Sequence, residues 1–406
     1  MNTGPGTLSR AESNQWLHEL AQAVQLREGV DGVTRALWAV YMGRIPSTRE
    51  WSRQLHIPVP VLAALRRELE KRDILLPGEG LRLSPAGAKR LEEWFGRHEA
   101  VSQTCSACQG RGRVLPPEAF PLLEEFRELC ARRPEVDVTL DQSHATPETG
   151  IRKALYLLES GLLGKSLLFV GDDDFISLAC WLTRRRFLPD PGHWEPIRVI
   201  DIDARYLERI AELSQGAVQT QVLDVRDEWP AEWKDAFAVA LTDPAYTENA
   251  ITAFAYRCHY ALALGGTLLL SMPLPDSPTL AGIESNLLGM GWAVRGILLR
   301  FNEYAGASIH AHQSSLLICE KVFNPPPEKS FSLRYTPFYT GDIRPPGGWY
   351  VCTACATAVP VGPGEEFTTI QTLKKAGCPA CGNTSFQRQA GGKTRSPGGT
   401  PVPEAD

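Results

Sequence analysis

The feature that most constrains the fold of this chain is an alternation of short apolar segments and helical patterns between residues 141 and 325. Strands that alternate with helices in this way are typical of βαβ units and a parallel sheet. The pattern predicts an α/β fold with a doubly wound, Rossmann-like sheet. The predicted strands are Ser166–Val170, Arg198–Ile202, Val218–Val222, Ala238–Thr242 and Gly266–Ser271, with Ala293–Arg300 and Ser314–Cys319 as closing strands.

Changes in composition divide the rest of the chain into further modules. Residues 1–99 show helical patterns followed by a small β-hairpin, which is the order of elements in a winged helix. Acidic residues alternate with the basic ones on its third helix, which favours a packing or dimerisation module over a DNA-binding one. The predicted domains are a winged-helix-like domain (1–99), a Cys-x-x-Cys knuckle and connector (100–140), the Rossmann-like domain (141–325), a linker (326–347), a zinc ribbon (348–389) and a disordered tail (390–406).

Composition and charge exclude several classes of protein. The chain has 406 residues, which is long enough for a sizeable core, and its apolar stretches are too short or too broken by glycine to span a bilayer. A net charge of -5 gives no global attraction to nucleic acid. Because the N-terminal residues carry no basic segment followed by an apolar one, we expect a cytoplasmic protein.

Acidic residues follow four successive predicted strands, where a doubly wound fold binds its ligand. Asp201 can accept both hydroxyls of a ribose, and Asp224 is placed for an adenine amino group, so these positions predict an adenosine-containing ligand. For any one of these aspartates, a helix cap or a position in a solvated loop is as good an explanation as ligand binding, but it does not explain the whole series. Asp203 is expected to face outward or to cap the next helix. The residues are Gly171, Asp172, Asp173 and Asp174 after the first strand, Asp201 after the second, Asp224 after the third, and Asp243, Pro244, Ala245 and Tyr246 after the fourth.

The loop after the first strand differs from a dinucleotide fingerprint. One glycine, Gly171, precedes three aspartates, whose charges would repel a pyrophosphate. An S-adenosyl compound fits better because its sulfonium is positive. Nearby aspartates disfavour the carboxylate of S-adenosylmethionine but favour the free ammonium of its decarboxylated form. This favours transfer of an aminopropyl group over transfer of a methyl group.

The Asp-Pro-Ala-Tyr turn at residues 243–246 lies where the transfer would occur. A carboxylate beside an aromatic ring suits an amine, and Asp243 can take the proton of that amine as it attacks. Amine methyltransferases have a related turn at this place. The turn therefore indicates an amine nucleophile more securely than it indicates which group is transferred.

Several motifs together resemble the branched-chain polyamine synthases, the N(4)-bis(aminopropyl)spermidine synthase family. The resemblance extends from about residue 30 to residue 322, with Ala245 replacing the second proline of the family's Asp-Pro-Pro-Tyr motif. The matching segments are Asp141-Gln142, Thr146-Pro147-Glu148-Thr149, Gly164-Lys165, Gly171-Asp172-Asp173-Asp174 and Asp243-Pro244-Ala245-Tyr246-Thr247, together with the Cys105-Ser106-Ala107-Cys108 knuckle.

The resemblance implies a homodimeric aminopropyltransferase with a catalytic domain of the class I methyltransferase and spermidine synthase type. Decarboxylated S-adenosylmethionine is the implied co-substrate, and spermidine or a related linear polyamine the acceptor. Carried over by motif, Asp172 and Asp174 hold ammonium groups and Asp243 takes the proton. The resemblance also implies that Asp201 holds the ribose, Asp224 the adenine, and that Gln142 contacts the donor.

The ten cysteines include three Cys-x-x-Cys pairs. Two of these pairs, separated by 22 residues, have the spacing of a zinc ribbon, which predicts structural Zn²⁺ bound by Cys352, Cys355, Cys378 and Cys381. The third pair, Cys105 and Cys108, supplies two ligands, and His98, another residue or a second chain could complete a site; a redox couple or an inert turn are the alternatives. The remaining cysteines, Cys130, Cys180, Cys258 and Cys319, lie in apolar contexts and are expected in the core.

Two other functions stay open from the sequence. One is an S-adenosylmethionine-dependent amine methyltransferase, which would use the same cleft. The other is a nucleic-acid-binding regulator, in which the winged helix and zinc ribbon act and the α/β domain senses a ligand. The acidic residue at the transfer position, Asp243, favours an enzyme.

Overall fold

The chain divides into two compact units, Met1–Asp137 with Asp141–Thr336, and Val138–Leu140 with Pro337–Asp406. They are seen in a computed structural model that describes residues 10–43, 45–78, 80–96, 105–188, 192, 194–305, 313–325, 338–339, 342, 348–361, 366–367 and 370–388. Within these ranges every helix is too short or too polar to cross a lipid bilayer.

A seven-stranded sheet organises the larger unit, in the order β3-β2-β1-β4-β5-β7-β6. The first five strands are parallel, and β7 and β6 add to them as an antiparallel pair. This confirms the predicted α/β fold with a mainly parallel sheet. The strands are β1 (Leu167–Val170), β2 (Ile197–Asp201), β3 (Val218–Val222), β4 (Phe237–Thr242), β5 (Leu262–Met272), β6 (Trp292–Glu303) and β7 (Gln313–Lys321).

Helices precede and connect the strands of the sheet, and several begin with a side chain that caps them. Thr146, the predicted cap, accepts a hydrogen bond from the backbone of Thr149, and Pro147 occupies the first turn. Thr247 caps the helix after β4 in the same way, with Ala250 as donor. These helices are α7 (Pro147–Glu159), α8 (Ile176–Phe187), α9 (Ala204–Leu213), α10 (Glu248–Ala261) and α11 (Ser277–Met290), and α6 (Phe120–Cys130) precedes them.

The strand order reverses between β1 and β4. From β1 the chain moves to β2 and β3 on one side, and from β4 to β5 on the other. Such a reversal opens a crevice at the carboxyl ends of the two strands, where doubly wound folds bind ligands. The four residues of β1 are all buried, as expected for a central strand covered on both faces.

The N-terminal part is a small helical assembly with its own core. Trp51 is fully buried there, and its indole nitrogen donates to the carbonyl of Ala36. A bridge between Leu75 and Leu83 lies where the hairpin is predicted. The helices are α1 (Arg10–Ala23), α2 (Gly29–Tyr41), α3 (Thr48–Leu55), α4 (Val59–Lys71) and α5 (Pro85–Phe95).

The smaller unit contains a three-stranded antiparallel sheet in the order β10-β8-β9. Val359, Val361, Phe367 and Leu373 form its apolar core. Its elements are β8 (Gly348–Cys352), β9 (Ala358–Val361), α12 (Ile370–Ala376) and β10 (Phe386–Arg388). The predicted tail at 390–406 lies outside the described residues, as does most of the predicted linker at 326–347.

Candidate active site

A cleft lies at the carboxyl ends of β1 and β4, where the strand order reverses. It brings together the aspartates of the first loop and Asp243, which are distant in sequence. The residues that line it are Lys153, Phe169, Gly171, Asp172, Asp173, Asp174, Ile176, Leu241, Thr242 and Asp243. Five of the residues predicted for the site are therefore in one place: Gly171, Asp172, Asp173, Asp174 and Asp243.

The first loop turns sharply at Gly171, whose φ of +78° favours glycine. The turn places Asp172 beneath the start of α8, where its two carboxylate oxygens accept backbone hydrogen bonds from Ile176 and Ser177 at 2.7 and 3.0 Å. These bonds stabilise the carboxylate, but burial dominates and raises the pKa of Asp172 to about 7. Asp172 thus fixes the loop on the helix as well as lining the cleft.

Asp201, at the end of β2, is joined to the first loop by a hydrogen bond. Its Oδ2 accepts from the backbone nitrogen of Asp172 at 3.1 Å, and its Oδ1 accepts from that of Asp203 at 2.8 Å. Burial raises the pKa of Asp201. Asp203 caps α9, one of the two roles expected for it from the sequence.

Asp173 and Asp174 add to this concentration of negative charge. Burial raises the pKa of Asp173 well above its usual value, and repulsion from Asp174, Asp201, Asp243 and Asp172 raises it further. Asp174 is 3% exposed and accepts a hydrogen bond from the backbone of Ala145. A buried group of like charges is costly without a compensating cation. The cleft is therefore built to receive a positively charged ligand.

Asp243 lies at the centre of a hydrogen-bonded group. The hydroxyl of Tyr246 donates to its Oδ1 at 3.0 Å, and that of Tyr304 to its Oδ2 at 2.5 Å. The ammonium of Lys153 is 3.8 Å from Oδ2. Burial raises the pKa of Asp243, and Lys153 and the two hydroxyls lower it. Because these effects shift the pKa of Asp243 in opposite directions, its carboxylate can both take up a proton and release it.

The structure places the other predicted residues around the cleft rather than on the lining given above. Asp224 forms an ion pair with Arg226 at 2.6 Å, and Gln142 donates to Asp203 at 3.1 Å. Pro244 and Ala245 are buried in the turn that leads to α10, where the carbonyl of Ala245 accepts from Thr247. Tyr246 reaches the site through its bond to Asp243.

Sequence reasoning missed three residues that surround Asp243, namely Lys153, Tyr304 and Ser314. Lys153 lies on α7, and Tyr304 and Ser314 lie at the two sides of the β6–β7 hairpin. In the structure β7 pairs antiparallel to β5, with Ser315 opposite Met272 at the carboxyl end of β5. The start of β7 therefore lies at the edge of the sheet that carries the cleft, a placement that local sequence pattern does not give.

The smaller unit brings Cys352, Cys355, Cys378 and Cys381 together, with all four sulfur atoms within 4.8 Å of one another. Two sulfur pairs, Cys352 with Cys381 and Cys355 with Cys378, are 3.6 Å apart. A tetrahedral Zn²⁺ with Zn–S bonds of about 2.3 Å requires sulfurs about 3.8 Å apart, so the four thiols fit this ion.

Each cysteine pair is held by a similar turn. The backbone nitrogen of Ala356 donates to the carbonyl of Cys352, and that of Gly382 to the carbonyl of Cys378. Both Ala356 and Gly382 have left-handed φ angles, +57° and +72°. The chain therefore presents two equivalent loops to one central point.

Cys105 and Cys108 join no group of three or more metal-binding side chains among the described residues. His98, one of the partners considered for them, lies outside that part of the chain. Of the four other cysteines, Cys180, Cys258 and Cys319 are buried as expected, and Cys130 is half-buried.

A mainly parallel sheet with an acidic cleft at its point of reversal defines a Rossmann-like protein with a site for a cationic ligand. Residues 121–334 match the family model described as the branched-chain polyamine synthase A C-terminal domain. The chain belongs to the branched-chain polyamine synthase family.

Two relatives are similar to this chain over most of its length. An uncharacterised protein of Methanocaldococcus jannaschii is 32% identical over 380 residues, which is 91% of this chain and 92% of that protein. The N(4)-bis(aminopropyl)spermidine synthase of Thermus thermophilus is 33% identical over 261 residues, or 61% of this chain and 68% of that enzyme.

The fold is also found in a solved structure. It resembles the crystal structure of the branched-chain polyamine synthase of Thermus thermophilus in complex with N4-aminopropylspermidine and 5'-methylthioadenosine. The TM-score is 0.62 and the identity 24%, over 79% of this chain and 95% of that one.

Proposed function

We propose that this chain is an aminopropyltransferase that moves aminopropyl groups from decarboxylated S-adenosylmethionine to the secondary amine of spermidine or a related linear polyamine. The observation that carries the proposal is the cluster of buried aspartates in the cleft, whose mutual repulsion favours a polycationic ligand. The names of the relatives support it. The T. thermophilus synthase has been seen with N4-aminopropylspermidine and methylthioadenosine, a branched polyamine and the expected by-product.

Each transfer breaks the carbon–sulfur bond between the aminopropyl group and the sulfonium and forms a carbon–nitrogen bond. The secondary ammonium of the acceptor first gives one proton to Asp243, and the free amine then attacks the carbon next to sulfur. The sulfur keeps the electron pair of the broken bond and leaves as methylthioadenosine. A second round converts the resulting tertiary amine to a quaternary ammonium, again with loss of one proton.

The aspartates of the cleft serve to bind and orient the two cations. Asp172 and Asp174 face the ammonium groups, Asp173 adds to the negative charge of the cleft, and Asp172 also fixes the loop on α8. Asp201 holds the ribose and Asp224 the adenine. In the ligand-free chain Asp224 is paired with Arg226, so binding of adenine requires that Asp224 share one oxygen or give up this pair.

The same charges select the donor. S-adenosylmethionine brings a carboxylate into a cleft that already holds several, whereas the decarboxylated form ends in an ammonium. The cleft therefore favours aminopropyl transfer over methyl transfer.

The peripheral modules have structural roles in this proposal. The four cysteines of the smaller unit bind one Zn²⁺ and, as a zinc ribbon, hold that module together. The N-terminal part is a winged-helix-like packing module. On α4 and at its C-terminal end, Arg66 pairs with Glu70, and both Lys71 and Arg72 pair with Glu68, which argues against a nucleic-acid surface. A homodimer and a cytoplasmic location remain predictions.

The test is incubation of the purified protein with decarboxylated S-adenosylmethionine and spermidine, followed by mass spectrometry. We expect methylthioadenosine and polyamines that have gained one or two aminopropyl units. A parallel reaction with S-adenosylmethionine tests methyl transfer, and a panel of linear polyamines defines the acceptor. Absence of both products with the decarboxylated donor would overturn the proposal, and a methylated amine in the parallel reaction would replace it.

A further inference from the structure

A second cavity lies between the N-terminal helices and the sheet, on the side of Asp243 where Ser314 is found. Ser314 lines this cavity but not the acidic cleft. The two spaces are joined by hydroxyl groups: Tyr304 donates to Asp243 at 2.5 Å and lies 2.8 Å from the oxygen of Ser314. An unbroken chain of short hydrogen bonds thus leads from the proposed base to the second cavity.

We propose that Tyr304 and Ser314 form a proton relay that carries the proton taken up by Asp243 out of the acidic cleft and into the second cavity. This inference rests on the proposed function, in which each aminopropyl transfer leaves one proton on Asp243. The enzyme must discharge that proton before the next transfer.

The cleft offers the proton no ready exit during turnover. The side chain of Asp243 is 17% exposed, and it lines the cleft that the two cationic substrates occupy. Among the described residues, its other side-chain contacts are the ammonium of Lys153 and the hydroxyls of Tyr246 and Tyr304. Tyr246 leads to the same place, since its hydroxyl contacts that of Tyr304 at 2.8 Å.

The hydrogen bonds allow a balanced transfer. While Asp243 is a carboxylate, Tyr304 donates to it and Ser314 donates to Tyr304. Once Asp243 has taken the amine proton, the hydroxyls of Ser314 and Tyr304 rotate so that each donates away from Asp243. The Asp243 proton then moves to the oxygen of Tyr304 as the Tyr304 proton moves to Ser314 and the Ser314 proton moves to water in the cavity. The oxygen of Ser314 can still accept from the amide of Asn302, at 2.9 Å, because it has two lone pairs.

The walls of the second cavity admit water and disfavour the entrance of polyamines. Arg53 and Arg300 line it, and both contact Glu50, so these three side chains keep one excess positive charge. Burial, and then the charge of Arg300, lower the pKa of His56 on the same wall and favour its neutral form. A polyamine is repelled from such a surface, whereas water finds both polar partners and room.

Two substitutions of the same shape isolate the relay. Ser314→Thr keeps the hydroxyl, and Ser314→Val replaces it by a methyl group, while both add the same bulk to a strand that accommodates β-branched residues. We expect Ser314→Thr to turn over at near the wild-type rate. For Ser314→Val we expect a burst of one methylthioadenosine per active site in a rapid-quench experiment, then a steady rate at least tenfold below that of Ser314→Thr.

The burst separates a relay from a merely structural role. If Ser314 only positioned Tyr304, the first turnover of Ser314→Val would be as slow as the later ones. Equal steady rates for the two variants, or a slow first turnover, would overturn the relay. Methylthioadenosine release by the wild-type protein and by Ser314→Thr shows independently that the proposed function holds.

Two further variants complete the design. Ser315→Val makes the same change one residue further along β7, on the wall of the same cavity but outside the hydrogen-bond chain, and we expect no burst from it. Tyr304→Phe interrupts the chain one step closer to Asp243 and is expected to give the burst as well. Equal melting temperatures of Ser314→Thr and Ser314→Val confirm that their folds are comparable.

Discussion

Lys153 places its ammonium 3.8 Å from Oδ2 of Asp243, and both side chains line the acidic cleft. Burial raises the pKa of Asp243, and Lys153 opposes this rise. The pair therefore sets the pH at which Asp243 is ionised and able to take a proton from an amine. Lys153 itself is 4% exposed, so its charge acts with little screening by solvent.

Replacement of Lys153 by methionine should move the acidic limb of the pH profile of kcat/KM to higher pH. The reason is that Asp243 loses its nearby cation, so its pKa rises and a smaller fraction is ionised at a given pH. We expect the limb to shift by about one pH unit, which lowers kcat/KM about tenfold at pH values below the limb. Lys153→Arg keeps the charge and should leave the limb near its wild-type position. An unchanged limb in Lys153→Met would show that Lys153 does not control Asp243.

Asp243→Asn should lower turnover by about 10²–10⁴-fold, the usual contribution of general base catalysis. Binding of the donor should be largely preserved, because adenine and ribose are held elsewhere in the cleft. Rapid measurement of methylthioadenosine gives the first quantity, and calorimetric titration with the donor gives the second. Asp227→Asn makes the same chemical change at an exposed position after β3 and serves as the control. Turnover within threefold of wild type would remove Asp243 from its role.

Asp173→Asn should stabilise the ligand-free protein at pH 8 and weaken binding of the polyamine. The folded-state pKa of Asp173 lies well above its ordinary 3.8, so between these values the folded protein binds more protons than the unfolded one. Its stability therefore falls as the pH rises through this window. Removing the charge should raise the melting temperature by about 2–4 °C at pH 8.

The dependence on pH provides the check on that prediction. Well below its ordinary pKa of 3.8 the carboxyl of Asp173 is protonated in both states, so the difference in melting temperature between variant and wild type should shrink as the pH falls toward that range. Saturating spermidine should narrow the difference at pH 8, because the cation relieves the repulsion in the wild type. A constant difference from pH 4 to pH 8 would contradict this account.

The sequence was sufficient to predict the parallel part of the sheet and the loops at its strand ends. β1 and β4 are short, apolar and followed by Gly171 and Asp243, so local pattern and the rule that ligands bind at strand ends agree. Asp172 was predicted as a ligand-binding residue. Its hydrogen bonds to the start of α8 could not be predicted, because they depend on the three-dimensional course of the loop.

The partners of Asp243 were beyond local pattern. Tyr304 meets Asp243, and Ser314 meets Tyr304, because β6 and β7 fold back as an antiparallel pair. Lys153 meets Asp243 because one face of α7 packs against the site. None of the three belongs to a motif with a recognisable spacing. The net charge of -5 likewise does not reveal where the charges lie. The chain contains an acidic cleft and, on the other side of Asp243, a cavity with basic walls.

Metal analysis should find one Zn²⁺ per chain, bound by the four cysteines of the smaller unit. Removal of the ion by a chelator should unfold the segment from residue 348 to residue 388, because structural zinc contributes about 10–16 kcal/mol of apparent binding energy to small modules of this kind. Limited proteolysis after chelation should cut within that segment and leave the Rossmann-like domain intact. Cys378→Ser should lose the ion and show the same cleavage. The double variant Cys105→Ser/Cys108→Ser is the matched control and should retain one Zn²⁺ per chain; a wild-type content above one ion that falls in this variant would show that the knuckle binds metal too.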